Sequence, residues 1–194
     1  MNIEYPEGAT PLDPDELAGL KHPHVETRGE LDQLEQANIQ EGYRWLSRQR
    51  KYREFLNEDF VLDLHRHLFG DVWSWAGAFR KSEKNIGADP ASIGMELRNL
   101  LDDAKYWVEH NTYSREEFAA RFHHRLVKIH PFTNGNGRHA RIMTDAILER
   151  VLKVKPVNWG SGLNTKTEHR MAYIAALRAA DNNDYRPLID FVSS

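Results

Sequence analysis

His130-Pro131-Phe132-Thr133-Asn134-Gly135-Asn136-Gly137-Arg138-His139-Ala140-Arg141 is the stretch on which the reading of this chain turns. It follows a periodic run, Phe118, Phe122, Leu126 and Ile129, whose spacing predicts a helix with one apolar face. That helix must stop before Pro131, because the residue preceding a proline is pushed out of the α region. The Asn-Gly-Asn-Gly that follows tolerates positive φ, so the backbone can curl and aim several N–H groups at one point. Arg138 then opens a second periodic run through Ile142, Met143, Ala146, Ile147 and Val151. A glycine-rich loop feeding a helix N-terminus favours an anion, through unpaired amides and the helix dipole together. Arg138 and Arg141 lie on neighbouring positions of that helix and can grip separate phosphates. His130, at the other lip of the loop, offers a neutral imidazole able to take a proton. Loop, arginines and histidine point together to nucleotide chemistry.

Composition sets the frame around this loop. The 194 residues suit one domain, or a domain with a short N-terminal extension. The formal net charge of −3 gives no basic field of the kind nucleic-acid binders carry, so no direct nucleic-acid contact is expected. The chain has no cysteine, which excludes disulfides and thiolate metal sites. No apolar run approaches membrane-spanning length, and residues 1–10 are too polar for a signal peptide. The expectation is a soluble cytoplasmic protein; nothing in the sequence sets its oligomeric state.

Residues 1–26 hold Pro6, Pro11, Pro14 and Pro23 with only scattered apolar residues, and predict an extended arm with a short helix at 15–20. From Thr27 the pattern turns helical: Thr27 with Glu30 three residues on is a capping box, and 27–54 form a helical segment. Asn57 or Asp59 caps the next helix, which carries Phe60, Leu64 and Leu68 and ends near Gly70. Between Arg80 and Ile93 lie Asn85, Gly87, Asp89 and Pro90, predicting a hairpin or irregular flap. Residues 95–110 read as helix, Ser114 opens the helix that delivers His130, and 166–180 form a last long helix. The histidine pairs His123/His124 and His65/His67 lack partners at metal-ligand spacing, so a surface or packing role is expected of them.

The motif as a whole resembles the Fic family signature, H-x-F-x-(D/E)-G-N-G-R-x-x-R, at every fixed position except one. Trp75-Ala76-Gly77-Ala78-Phe79-Arg80 resembles the segment such proteins carry upstream, and 173–177 and 184–188 resemble their C-terminal end. The likeness covers about residues 55–192. It implies a mainly all-α fold, a Fic-type helical bundle with one small β-hairpin flap, in which 55–194 are the core domain. The layout also resembles a narrower subgroup called mobile mystery protein B, associated with mobile elements, whose neighbour looks like a helix-turn-helix protein. A small helix-turn-helix partner is therefore implied.

The resemblance implies a protein adenylyltransferase that moves AMP from ATP to a Ser, Thr or Tyr hydroxyl of a target protein, with Mg²⁺. On that reading His130 is the base, while Gly135, Asn136 and Gly137 cradle the α-phosphate. Arg138 and Arg141 hold the β- and γ-phosphates, Arg138 being catalytic, and Phe132 is structural. Gly137 separates this motif from phosphorylating Doc-type relatives, which carry lysine there. Asn134 is the departure: the family has a carboxylate for Mg²⁺, whereas Asn keeps only a carbonyl oxygen. The alternatives are a degenerate Fic domain that binds nucleotide or protein, and transfer of another phosphate-containing group. Many Fic proteins also carry an inhibitory helix, (S/T)-x-x-x-E-(G/N). Leu34-Glu35 resembles its Ile-Glu pair, with Leu31 and Gln36 departing from it, making Glu35 the candidate regulatory residue, facing Arg141.

Overall fold

The computed structural model describes residues 13–49, 54–160 and 167–193. The expectations for residues 1–12 and for the start of the last helix at Lys166 lie outside these. The described chain is helical: α1 (Pro14–Leu17), α2 (Arg28–Ser47), α3 (Glu58–Phe69), α4 (Ile93–Glu109), α5 (Arg115–Ile129), α6 (Asn136–Arg150), α7 (Thr167–Asp181) and α8 (Arg186–Ser193). This agrees with the all-α expectation. The segment after Thr27 is one helix, and the short helix of the arm sits at 14–17 instead of 15–20. Arg186–Ser193, which overlaps the 184–188 stretch, is a further helix with Leu188 and Val192 inside.

Helix starts follow the side chains that can take up orphan amides. Thr27 accepts from the Glu30 amide at 3.3 Å while the Glu30 carboxylate accepts from the Thr27 amide at 3.0 Å. Asn57, not Asp59, caps α3, accepting from Phe60 N–H at 2.7 Å. Ser114 caps α5 through Glu117 N–H at 3.2 Å.

α3 is the wall of the core. Its Phe60, Val61, Leu64 and Leu68 are fully buried, with α2 on one side and α4 and α6 on the other. α5 packs on α6, and its Ala120 also meets a smaller cluster of Tyr173, Ala176, Ala180 and Leu188 from α7 and α8. The arm runs beside the turn after α3: Ser74 N–H donates to Gly19 O at 2.8 Å and Lys21 N–H to Val72 O at 2.9 Å. Leu20 and Trp73 form an isolated antiparallel bridge there.

The expected β-hairpin flap is corrected. Among the described residues no strand forms, and the segment after Arg80 is an irregular loop. The physical reason is Arg80, itself buried. Its guanidinium donates to Ser82 O at 2.8 Å and to Ala88 O, so the carbonyls a hairpin ladder would use converge on one cation. Its Nε donates to His130 O at 2.7 Å, and its own N–H donates to Pro131 O at 2.9 Å. Lys84, further along the flap, is salt-bridged to Asp13 at 3.1 Å and to Glu16 of the arm.

Replacing the cation orphans three carbonyls at once. Arg80→Met should lower unfolding free energy by about 1–3 kcal/mol per carbonyl that water does not reach. Hydrogen exchange should accelerate over 82–88 before the helices respond; unchanged exchange there would show the loop is held by other means.

Candidate active site

The motif loop is closed by one side chain. Asn136 Oδ1 accepts from Phe132 N–H at 2.9 Å, and its Nδ2 donates to Phe132 O at 2.8 Å. The Asn136 side chain is buried and braces the loop. What faces outward is backbone. Gly135 is the N-cap of α6 in the αL region, with φ 78°, and no side chain caps the helix. The first intrahelical bond to reach back runs from His139 N–H to Gly135 O at 2.9 Å, so the amides of Asn136, Gly137 and Arg138 precede the ladder.

Two glycines matter for different reasons. A Cβ on Gly135 would lie 2.7 Å from the ring of Phe69, which forms the floor of the loop. A Cβ on Gly137 would meet nothing within 4 Å. Packing does not require glycine at 137, although glycine inside a helix is disfavoured by roughly 1 kcal/mol.

His130 ends α5 as its C-cap, itself in the αL region with φ 53° and ψ 57°. This conformation is strained for a residue with a side chain, and its carbonyl is fixed by Arg80 Nε. The ring is buried, and burial followed by the Arg80 charge pushes its pKa down to about 4, with Lys84 acting in the same direction. Phe132 is fully buried beneath the loop as expected, stacked on His65 with ring centroids 3.7 Å apart.

The arginines part company. Arg138 passes over the Phe69 ring at 4.8 Å and its Nη1 donates to Glu35 Oε2 at 2.7 Å. Glu35 is buried, and its other oxygen accepts from Trp73 Nε1 at 2.8 Å. The expected partner of Glu35, Arg141, is corrected to Arg138. α2 packs against α3, which brings Glu35 to the first turn of α6, while Arg141 turns to Tyr173 of α7, 5.8 Å from its ring centroid.

Asn134 Oδ1 accepts from Gly135 N–H at 2.7 Å. Among the described residues no group of three or more His, Cys, Asp or Glu could hold a metal ion. For Mg²⁺ the loop is a partial fit: it holds an oxygen donor of the right kind, but a neutral one already engaged. His123 and His124 do not converge, as expected: His123 meets Tyr173 Oη at 2.7 Å and His124 meets Asp181 at 3.0 Å. His67 stacks on Trp45 at 4.2 Å. His65, read as packing, is indeed buried, but directly under the motif. Its signal in the sequence was a histidine four residues before Phe69 on the apolar stripe of α3. Arg80 gave less warning, since one arginine among aromatics announces no partner.

The loop thus brings together a helix N-terminus without a side-chain cap, Arg138 and the buried His130. Residues 55–148 match the sequence model of the Fic/DOC family, and the chain belongs to that family. It is 33% identical to the protein adenylyltransferase Fic of Nematostella vectensis over 144 residues, covering 72% of this chain and 32% of that protein. It thus spans about a third of the length of the curated relatives it matches. Among solved structures, Fic-1 from C. elegans superposes with a TM-score of 0.69 at 27% identity, covering 90% of this chain and 51% of that one. BepC of Bartonella tribocorum with bound AMPPNP superposes with a TM-score of 0.68 at 20% identity, covering 96% and 92%. That last likeness speaks to the fold. Among the described residues no helix is long and apolar enough to cross a membrane.

Acid should loosen this site. His130 is held at about 4 and His139, buried behind the loop, at about 3. Both titrate near ~6.5 when unfolded, so below that value the unfolded chain binds more protons than the folded one. Their contribution is complete above about pH 6.5 and is lost as pH falls toward the folded values. Urea midpoints should drop between pH 7 and 5 at constant slope; a flat midpoint over that window would refute the assignment.

Proposed function

We propose that this chain transfers AMP from ATP to a Ser, Thr or Tyr hydroxyl of a target protein. The observation that carries the reading is the pairing of His130 with the open first-turn amides of α6 across one braced loop. The hydroxyl oxygen attacks the α-phosphorus, the bond from that phosphorus to the bridging oxygen breaks, and pyrophosphate leaves. The hydroxyl proton passes to His130, whose ring is neutral at physiological pH. A base held near 4 is weak, but its low value reflects burial and the Arg80 charge. A bound triphosphate brings opposite charge to that place and lifts it.

The amides of Asn136 and Gly137, with Gly135 setting their direction, meet the α-phosphate as charge develops on it. Arg138 and Arg141 serve the leaving pyrophosphate. Gly137 leaves room for it, which favours adenylyl transfer over the phosphorylation of Doc-type relatives. Mg²⁺ neutralises phosphate charge when bound; Asn134 would give it a single neutral oxygen, the phosphates supplying the rest. That weak donor is the observation behind the second reading, a nucleotide- or protein-binding module without turnover. A cytoplasmic location and a small helix-turn-helix partner belong to the same proposal.

His130→Ala should remove label transfer from α-labelled ATP to protein, a loss of at least ~10²-fold, with ATP binding near normal. Labelling undiminished in that variant would sink the mechanism.

Glu35 would act as the resting partner of Arg138, keeping that arginine from the nucleotide. Glu35→Gly should then raise both ATP affinity and labelling. Equal labelling by the two proteins at limiting ATP would assign control elsewhere.

A further inference from the structure

His65 has no part in the chemistry above, yet both of its ring nitrogens are spoken for by the site. It is fully buried on α3. Nδ1 lies 3.0 Å from the Gly77 amide nitrogen, and Nε2 lies 3.0 Å from the Asn134 carbonyl oxygen. A backbone N–H can only donate and a carbonyl can only accept. The ring must therefore carry its proton on Nε2 and a lone pair on Nδ1. Two backbone groups from distant segments fix the tautomer between them.

Each of those groups leads to one half of the site. Gly77, with φ 78°, closes the turn over 74–77, three residues before Arg80, the residue that clamps the His130 carbonyl. Asn134 is the last residue before the αL glycine that starts α6. A planar trans peptide fixes the Gly135 N–H once the Asn134 carbonyl is fixed, and the next residues inherit that orientation. The ring face is stacked on Phe132 with an interplanar angle of 19°, and one turn further Phe69 supports Gly135. The stripe His65–Phe69 is thus a shelf with one polar peg.

We propose that His65 is a positioning residue: as the Nε2–H tautomer it pins the Asn134 carbonyl and so sets where the first-turn amides of α6 point. It couples that loop to the Arg80 turn that holds His130. The role deepens the adenylyl-transfer reading and rests on its identification of the loop as a phosphate site.

Two amide substitutions separate the two bonds. In His65→Asn the side-chain oxygen falls near the Nδ1 position, keeping an acceptor for Gly77 and leaving nothing at Nε2. In His65→Gln an amide nitrogen reaches the Nε2 position, keeping a donor for Asn134. ATP and adenosine affinities, measured by calorimetry, are compared with melting temperature for both variants. His65→Asn should weaken ATP about tenfold and leave adenosine unchanged, while His65→Gln stays within about threefold of wild type for both ligands. A merely structural histidine would instead weaken ATP in both variants in proportion to lost melting temperature, and that result overturns the proposal. A ligand-free measurement stands beside it. Long-range ¹⁵N–¹H correlation of the wild-type ring should give the Nε2–H tautomer, and an Nδ1–H ring would overturn the proposal whatever the affinities. Failure of the wild type to bind ATP at all would fall on the nucleotide reading; the ring spectrum, with the Gly135 amide shift in the two variants, then decides the positioning role.

Discussion

Asn136 gives one hydrogen bond to Phe132 and takes one from it, and the site depends on that pair. Both backbone groups of Phe132 are satisfied by a single amide, so the chain can reverse between α5 and α6 without a ladder. The bonds are buried, which makes each of them costly to break and the loop correspondingly stiff. Stiffness is what a phosphate cradle needs, because donors that must reorganise during reaction contribute less. The price of this short closure appears at either end, where His130 and Gly135 both take positive φ.

Around that closure, polar contacts to the backbone do what a sheet does in other folds. Arg80 gathers carbonyls from the flap and from His130, and His65 spans the turn and the loop. The Arg80 cation is buried against carbonyls, with Asp89, Glu16 and Glu83 adding attraction at longer range. It projects its field onto the nearby imidazole and depresses its pKa. On the proposed function, a bound triphosphate would offset that field and make His130 a stronger base.

Much of this was legible in the chain. The periodicities of 118–129 and 142–151 gave α5 and α6, and the proline and glycines between them gave the loop. Capping residues marked three helix starts because a cap is a local bargain between a side chain and amides two or three residues away. What the sequence concealed were contacts between segments far apart in it. Arg80 is only one arginine in an aromatic segment until its carbonyls are in place, and of the two expectations for the flap the irregular one holds for that reason. His65 looks like any buried histidine, since its meaning lies in two backbone groups that no pattern reveals. The bracing bonds of the Asn136 side chain to Phe132 are not read from spacing, because the two lie on either side of a turn. The Glu35 partner was missed by one helical turn: α2 packs on α3, and that docking angle is not written in α2.

The Glu35–Arg138 pair shows how such docking can carry information. Its carboxylate is held by Trp73 on one oxygen and by Arg138 on the other, at 5% side-chain exposure, while Arg138 keeps 27%. If the arginine leaves for a phosphate, the carboxylate stays behind with one neutral donor. Breaking a buried pair in that way costs on the order of 3–5 kcal/mol. On the proposed function, a penalty of that size would lower nucleotide affinity by about two to four orders of magnitude. It would set a threshold and not a block, because the same arginine gains contacts to the ligand. Trp73 makes the threshold adjustable. Its backbone bridges to Leu20, and Ser74 bonds Gly19, so the arm and the carboxylate meet at one residue, the arm on its backbone and the carboxylate on its indole. Displacing the arm would loosen Trp73, leave Glu35 more dependent on Arg138, and raise the penalty further. On the proposed function, residues 13–21 would thus bear on the Glu35–Arg138 pair through Trp73 without touching the ligand.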